Sequence, residues 1–116
     1  MSRALSILAL LIAAAGPAGA APAAGWTVYA DCAAAYRVNA RLADPDRPAA
    51  MTQQISEVAG DYAAAARTRY AHGARAAKAT VAKAVATRIE REAARLSGQP
   101  REGVERIIDA CPQLDG

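Results

Sequence analysis

The stretch ARAAKATVAKAVATRIEREAARL, Ala74 to Leu96, decides how this chain is read. Ala77, Val81, Val85, Ile89 and Ala93 recur at every fourth position, with charged residues, threonines and further alanines between them. That period lays one apolar stripe along an α-helix and does not fit the two-residue alternation of a strand. Ser97-Gly98-Gln99-Pro100 closes the pattern, with glycine just past the last turn and proline unable to continue it.

Working upstream, Met51, Ile55, Val58, Tyr62, Ala66 and Tyr70 predict the inner face of a preceding helix that runs to about Ala71, with Gly73 as its end. No Ser, Thr, Asp or Asn stands before Arg75 to cap a new helix, so one kinked helix from Ala49 to Leu96 is the alternative. Such a helix would reach about 70 Å at 1.5 Å per residue and could not cover itself in so short a chain, which favours a break. Further upstream, Tyr29, Cys32, Ala33, Tyr36, Ala40 and Ala43 predict one stripe of a first helix, which Asp44-Pro45-Asp46-Arg47-Pro48 stops. Downstream, Pro100 and Glu102 suit the first turn of a short fourth helix, and Val104, Ile107, Ile108 and Cys111 line one of its faces before Pro112. The expected fold is all-α, a small antiparallel helical bundle of three to four helices over residues 26–116.

Of the 116 residues, 34 are alanine, so the 53% hydrophobic content overstates the core. Each buried alanine contributes little transfer free energy. Alanine faces at Ala33, Ala40, Ala63, Ala66, Ala82 and Ala86 are expected to let helices approach closely. A net charge of +3 and a charged fraction of 22% argue against both strong disorder and a strongly basic nucleic-acid binder.

The N-terminus reads as a secretory signal peptide over residues 1–20. Arg3 supplies the positive start, Ala4 to Ala15 the apolar run, and Ala18-Gly19-Ala20 the small residues that signal peptidase recognises. Gly16, Pro17, Gly19 and Pro22 spoil a spanning helix, so no stable membrane span is expected after cleavage. Residues 21–25 read as a flexible leader. The implied address is periplasmic or secreted.

In an oxidising compartment Cys32 and Cys111 are expected to pair. In an up-down-up-down bundle the end of helix one, near Ala43, and the start of helix four, near Pro100, lie at the same end. Each cysteine is 11 residues from that end, so both sulfurs sit about 16 Å along their helices and arrive at one level.

Catalytic and cofactor chemistry is not indicated. His72, the sole histidine, lies beside Arg67 and Arg69 near a helix end, where it complements the dipole or is solvated. Met51 and His72 form the only His/Met pair beyond the signal, and no Cys-x-x-Cys-His is present for haem. Asp44 and Asp46 lack the glycine and terminal glutamate of a calcium loop and read as turn residues. Ser56 and Ser97 lie in no nucleophile elbow, and the glycines form no phosphate loop. No enzyme activity, metal or cofactor is expected. Tyr29, Tyr36, Tyr62 and Tyr70 read as core residues with hydroxyls at the rim, and no substantial cavity is implied.

Charge is segregated. Residues 67–95 hold Arg67, Arg69, Arg75, Lys78, Lys83, Arg88, Arg91 and Arg95 against Glu90 and Glu92, whereas the flanking segments are each acidic on balance. Arg88, Arg91 and Arg95 share one helix edge and are the candidate residues for an anionic partner. Glu92 falls near the apolar stripe and needs a partner if buried. In layout alone, a short exported helical chain with one long-range disulfide resembles small periplasmic acid-stress chaperones, a likeness of architecture and not of residues. The expected function is therefore that of an exported non-enzymatic protein binding another macromolecule, as a chaperone or envelope-stress factor. The alternative is a small-ligand or anionic envelope-polymer or lipid binder acting through segment 67–95.

Overall fold

A computed structural model describes residues 25–114; the expected signal peptide and nearly all of the leader lie outside these described residues. Four helices follow one another: α1 (Trp26–Arg41), α2 (Ala49–Ala74), α3 (Lys78–Ser97) and α4 (Arg101–Asp109). Among the described residues there is no strand, and the chain is the all-α bundle its periodicity predicts.

Helix α1 is the centre of the assembly. It packs against α2, α3 and α4, whereas α4 barely touches α2 or α3. The burial of α1 follows from this position: Ala30, Cys32, Ala33, Ala34, Ala35 and Val38 are all buried. Four of them are consecutive, so the single stripe expected for this helix is a correction; the helix is wrapped on several sides. Alanine is the residue that makes this possible, because short side chains let three neighbours approach one axis.

On α3 the stripe is as the spacing predicts, with Val81, Val85, Ile89, Ala93 and Leu96 buried. Ala82 and Ala86, expected to face a neighbouring helix, are instead exposed, and Ala77 lies outside the helix and is exposed as well. On α2, Ala59, Tyr62 and Ala66 are buried. Met51, expected on the inner face, is half exposed at 50%, because the first turns of α2 run past the end of α1.

The break between α2 and α3 exists, but not at Gly73. Helix α2 continues through Ala74 and ends at Arg75, which takes the left-handed conformation at φ 50° and donates its amide to the Ala71 carbonyl. An edge-to-face contact between Trp26 and Tyr70, with ring centroids 4.9 Å apart, braces the last part of α2 against α1. The helix runs through the glycine that the sequence offers as a stop.

Cys32 and Cys111 form a disulfide, with Cα atoms 6.0 Å apart, inside the usual range. Cys111 is not on the face of α4, as expected, but just beyond it. The Ala110 amide donates to the Arg106 and Ile107 carbonyls and the Cys111 amide to Ile108, which tightens the last turn. Pro112 is the reason, since it disfavours helical backbone at the residue before it. The tail then crosses toward α2, where the buried Tyr62 hydroxyl donates to the Pro112 carbonyl.

Candidate anion-binding groove

The three arginines singled out from the sequence do not form a free cationic patch. Arg88 donates to both carboxylate oxygens of Asp31 on α1, at 2.8 and 2.9 Å. It also lies 3.7 Å from Glu92, one turn along α3. The hydrogen bond to Asp31 raises the Arg88 guanidinium above its ordinary value, with burial opposing and the charges of Asp31 and Glu92 adding to it. Arg95 is paired with Glu92 at 2.7 Å. The need of Glu92 for a partner is thus met twice. Arg91 is exposed and makes no ion pair among the described residues. Two of the three side chains therefore knit α3 to α1 and to itself.

The remaining ion pairs gather at the loop after α1. Asp44 lies 4.0 Å from Arg47 and 3.7 Å from Arg101, and Arg101 also donates to the Ala43 carbonyl. Arg47 reaches back to the Asn39 carbonyl, closing the turn.

The hairpin of α2 and α3 is different. From Tyr62 to Ile89 the chain runs 28 residues without an aspartate or glutamate. Arg67, Arg75, Lys78 and Lys83 all fall in this run, and none makes an ion pair among the described residues. Arg69 is occupied differently: its guanidinium lies 4.2 Å from the Tyr29 ring centroid and donates to the Tyr29 hydroxyl at 2.9 Å. The acid-free run was visible in the sequence and is a better pointer to unpaired cations than angular spacing on one helix.

Where α2 and α3 face each other the structure leaves a groove of about 500 Å³, lined by Ala64, Arg67, Thr68, Ala71, Ala76, Lys78, Val81 and Ala82. The walls are mostly methyl groups, and both charged side chains in the lining are cations. The Thr68 hydroxyl donates back to the Ala64 carbonyl, so it is already engaged. Helix α3 begins here at Lys78, with Ala77 before it offering no side-chain cap, and its first-turn amides add a positive dipole end to Lys78. The expectation of no substantial cavity fails at this seam, because alanines facing one another cannot fill the space that aromatic residues fill elsewhere.

A smaller cleft of about 340 Å³ lies on the other side of α2, between Tyr29, Arg69, His72 and Leu114. Its arginine is held by Tyr29, so the α2–α3 groove is the stronger candidate. Among the described residues no group of His, Cys, Asp and Glu could hold a metal ion, and no helix is long and apolar enough to cross a membrane. No protein-family model matches this chain, and neither a curated protein nor a solved structure matches it.

Proposed function

We propose that this chain is an exported, non-enzymatic helical protein that binds an anionic component of the cell envelope through the α2–α3 hairpin. The observation that supports this reading is the set of four cations, Arg67, Arg75, Lys78 and Lys83, in a run without acids and without ion pairs among the described residues. Unpaired like charges repel one another and raise the potential at one end of a molecule, which is a cost that an anionic partner removes. The paired Arg88 is assigned to holding α3 to α1, and Arg95 to pairing with Glu92 within α3.

The test is retention on anionic phosphatidylglycerol vesicles and on an acidic cell-wall polymer, with phosphatidylcholine vesicles as the neutral control. Binding should be strong at low salt and weak above physiological salt, where the Debye length falls below about 8 Å. Reversing Arg67, Lys78 and Lys83 to glutamate should abolish it while the helical spectrum is kept. Reversing Arg88 and Arg95 should instead lower the melting temperature, because Asp31 and Glu92 lose their partners. No salt-sensitive retention on either anionic surface would overturn the proposal.

A second reading, a chaperone released by acid, draws on the Asp31–Arg88 and Asp44–Arg101 pairs, which tie α3 and α4 to α1 and its loop. At low pH the excess of positive charge would repel itself, strain both ties and expose apolar surface. Suppression of client aggregation that appears only as pH falls into the carboxylate range, and that survives moderate salt, would favour it over anion binding.

A further inference from the structure

Three features of the α2–α3 groove narrow the chemistry of what it takes. Its walls, Ala64, Ala71, Ala76, Val81 and Ala82, carry no polar atom beyond the backbone. Its charged lining residues, Arg67 and Lys78, are both cations, and they come from different helices, so the groove is positive on either side. Its run along α2 from Ala64 to Ala71 covers about 10 Å by helical rise, long enough for a slender apolar chain.

A second copy of this chain is a poor occupant. Pairing two such grooves would bring Arg67 and Lys78 of each copy against the same residues of the other, with no carboxylate in the lining to relieve them. A sugar or other polyol is a poorer match, since apart from the two cations the only polar side chain in the lining is Thr68, and the other five residues offer it no side-chain hydrogen bond. What the lining matches is a molecule with one anionic end and one saturated tail.

We infer that the groove binds a single-chain carboxylate amphiphile, a medium-length fatty acid, with its alkyl tail along the alanine walls and its carboxylate between Arg67 and Lys78. This rests on the anion-binding reading and specifies the ligand of that same hairpin. The carboxylate gains two charged donors that have no ion pair among the described residues, and the open first turn of α3 adds dipole of the same sign. The tail covers methyl groups of Ala64, Ala71 and Ala82, on residues that are exposed.

The experiment is calorimetric titration of the exported protein with hexanoate, octanoate, decanoate and dodecanoate below their micellar concentrations, with decanol as the uncharged control. Burial of the tail should tighten binding about fourfold for each added methylene until the groove is full, after which affinity levels off. Decanol should bind at least tenfold more weakly than decanoate. Ala71→Glu and Ala82→Glu alter exposed helical positions, so each should keep the helical spectrum and melting temperature while reducing decanoate affinity at least tenfold. Affinity independent of chain length, with salt-sensitive retention on anionic vesicles intact, would overturn the fatty-acid assignment and leave the anion-binding proposal standing. Absence of both would overturn the two together. Decanoate binding that survives both glutamate substitutions would place the ligand elsewhere and equally overturn the assignment.

Discussion

Helix α2 forms one seam with α1 and another with α3, and the two are built from different residues. Toward α1, Tyr62 stacks on Tyr36 at 5.3 Å and lies 6.1 Å from Tyr29, while Tyr70 meets Trp26 edge to face. Toward α3, Ala64 and Ala71 face Ala76, Val81 and Ala82 across a groove. The α1 seam closes where its aromatics lie and opens again toward Arg41, into a cleft of about 360 Å³ between Ala40, Ala59 and Ala63. Side-chain volume accounts for the difference along one helix: the aromatic part carries Arg69 stacked on Tyr29, whereas the alanine-lined α3 seam sets Arg67 and Lys78 in one lining with no acid beside them. A thin alanine-rich chain places its few large residues where they close one interface and leaves another accessible.

The largest contrast should come from emptying one seam and filling the other. Tyr62→Ala removes a large side chain that is 5% exposed. It should cost about 3 to 5 kcal/mol, read from the urea midpoint. Ala71→Leu in the open seam should change stability by no more than about 0.5 kcal/mol, the range of a surface substitution. A comparable loss at both positions would mean the second seam is as tightly packed as the first.

The tie between α1 and α4 ranks next. Chain-entropy arithmetic for the 79-residue separation gives about 4 to 5 kcal/mol. Cys32→Ser should therefore lower unfolding free energy by about 2 to 5 kcal/mol, the usual loss in a small disulfide-linked domain. Thiol titration of the purified protein should find no free cysteine, and two reactive thiols would refute the cross-link.

Smaller and dependent on pH is the Tyr62 hydroxyl. Burial first, then the neighbouring Tyr36 and Tyr29, raises its phenol above the ordinary tyrosine value. The unfolded chain therefore gives up this proton first as pH climbs past about 10, so the native state holds more protons there and stability falls with rising pH. The contribution is complete below pH of about 10 and is lost on the alkaline side. Tyr62→Phe should cost about 1 kcal/mol at neutral pH, by leaving the Pro112 carbonyl without its donor, and should flatten that alkaline limb. An unchanged alkaline slope would show that Tyr62 does not supply it.

Arg75 gives the smallest effect, and its sign is opposite. A non-glycine residue at φ 50° pays a steric cost that glycine does not. Arg75→Gly should raise stability by about 1 kcal/mol and, by removing one unpaired cation, weaken retention on anionic vesicles. A protein that became less stable would indicate a role for the side chain that its exposed position does not suggest.

How far the sequence could be read followed the strength of each local signal. Val81, Val85, Ile89 and Leu96 are large, and their spacing alone marks the buried face of α3. In α1 the buried residues are mostly alanine, whose transfer free energy is too small to mark a face, so its central place emerges only from tertiary packing. The disulfide was legible because equal residue counts from one bundle end place both cysteines at one level. The helix break was legible in kind but displaced by two residues, from Gly73 to Arg75, and the contact that braces α2 just before it, Tyr70 on Trp26, comes from far back in the chain. The same limit governs the candidate site. Arg88 looks like a binding residue on its helix edge, but Asp31 is 57 positions away and only the fold brings them together. Arg67 and Lys78 were legible as charges, and their shared groove was not.

The central place of α1 also bears on the order in which this protein can acquire its shape. Most helical bundles assemble quickly because their contacts join segments close in sequence. Here the organising element precedes all three of its neighbours among the described helices. A helix of 16 residues is marginal on its own in water, even when rich in alanine. As the chain is synthesised, α1 must therefore wait for partners, and its covalent lock cannot close until residue 111 has emerged. Cys111 and Pro112, adjacent just after α4, then complete two long-range links almost together, the cross-link to Cys32 and the hydrogen bond from Tyr62 to Pro112. Loss of these two residues would leave α1 without its cross-link and α2 without its tether.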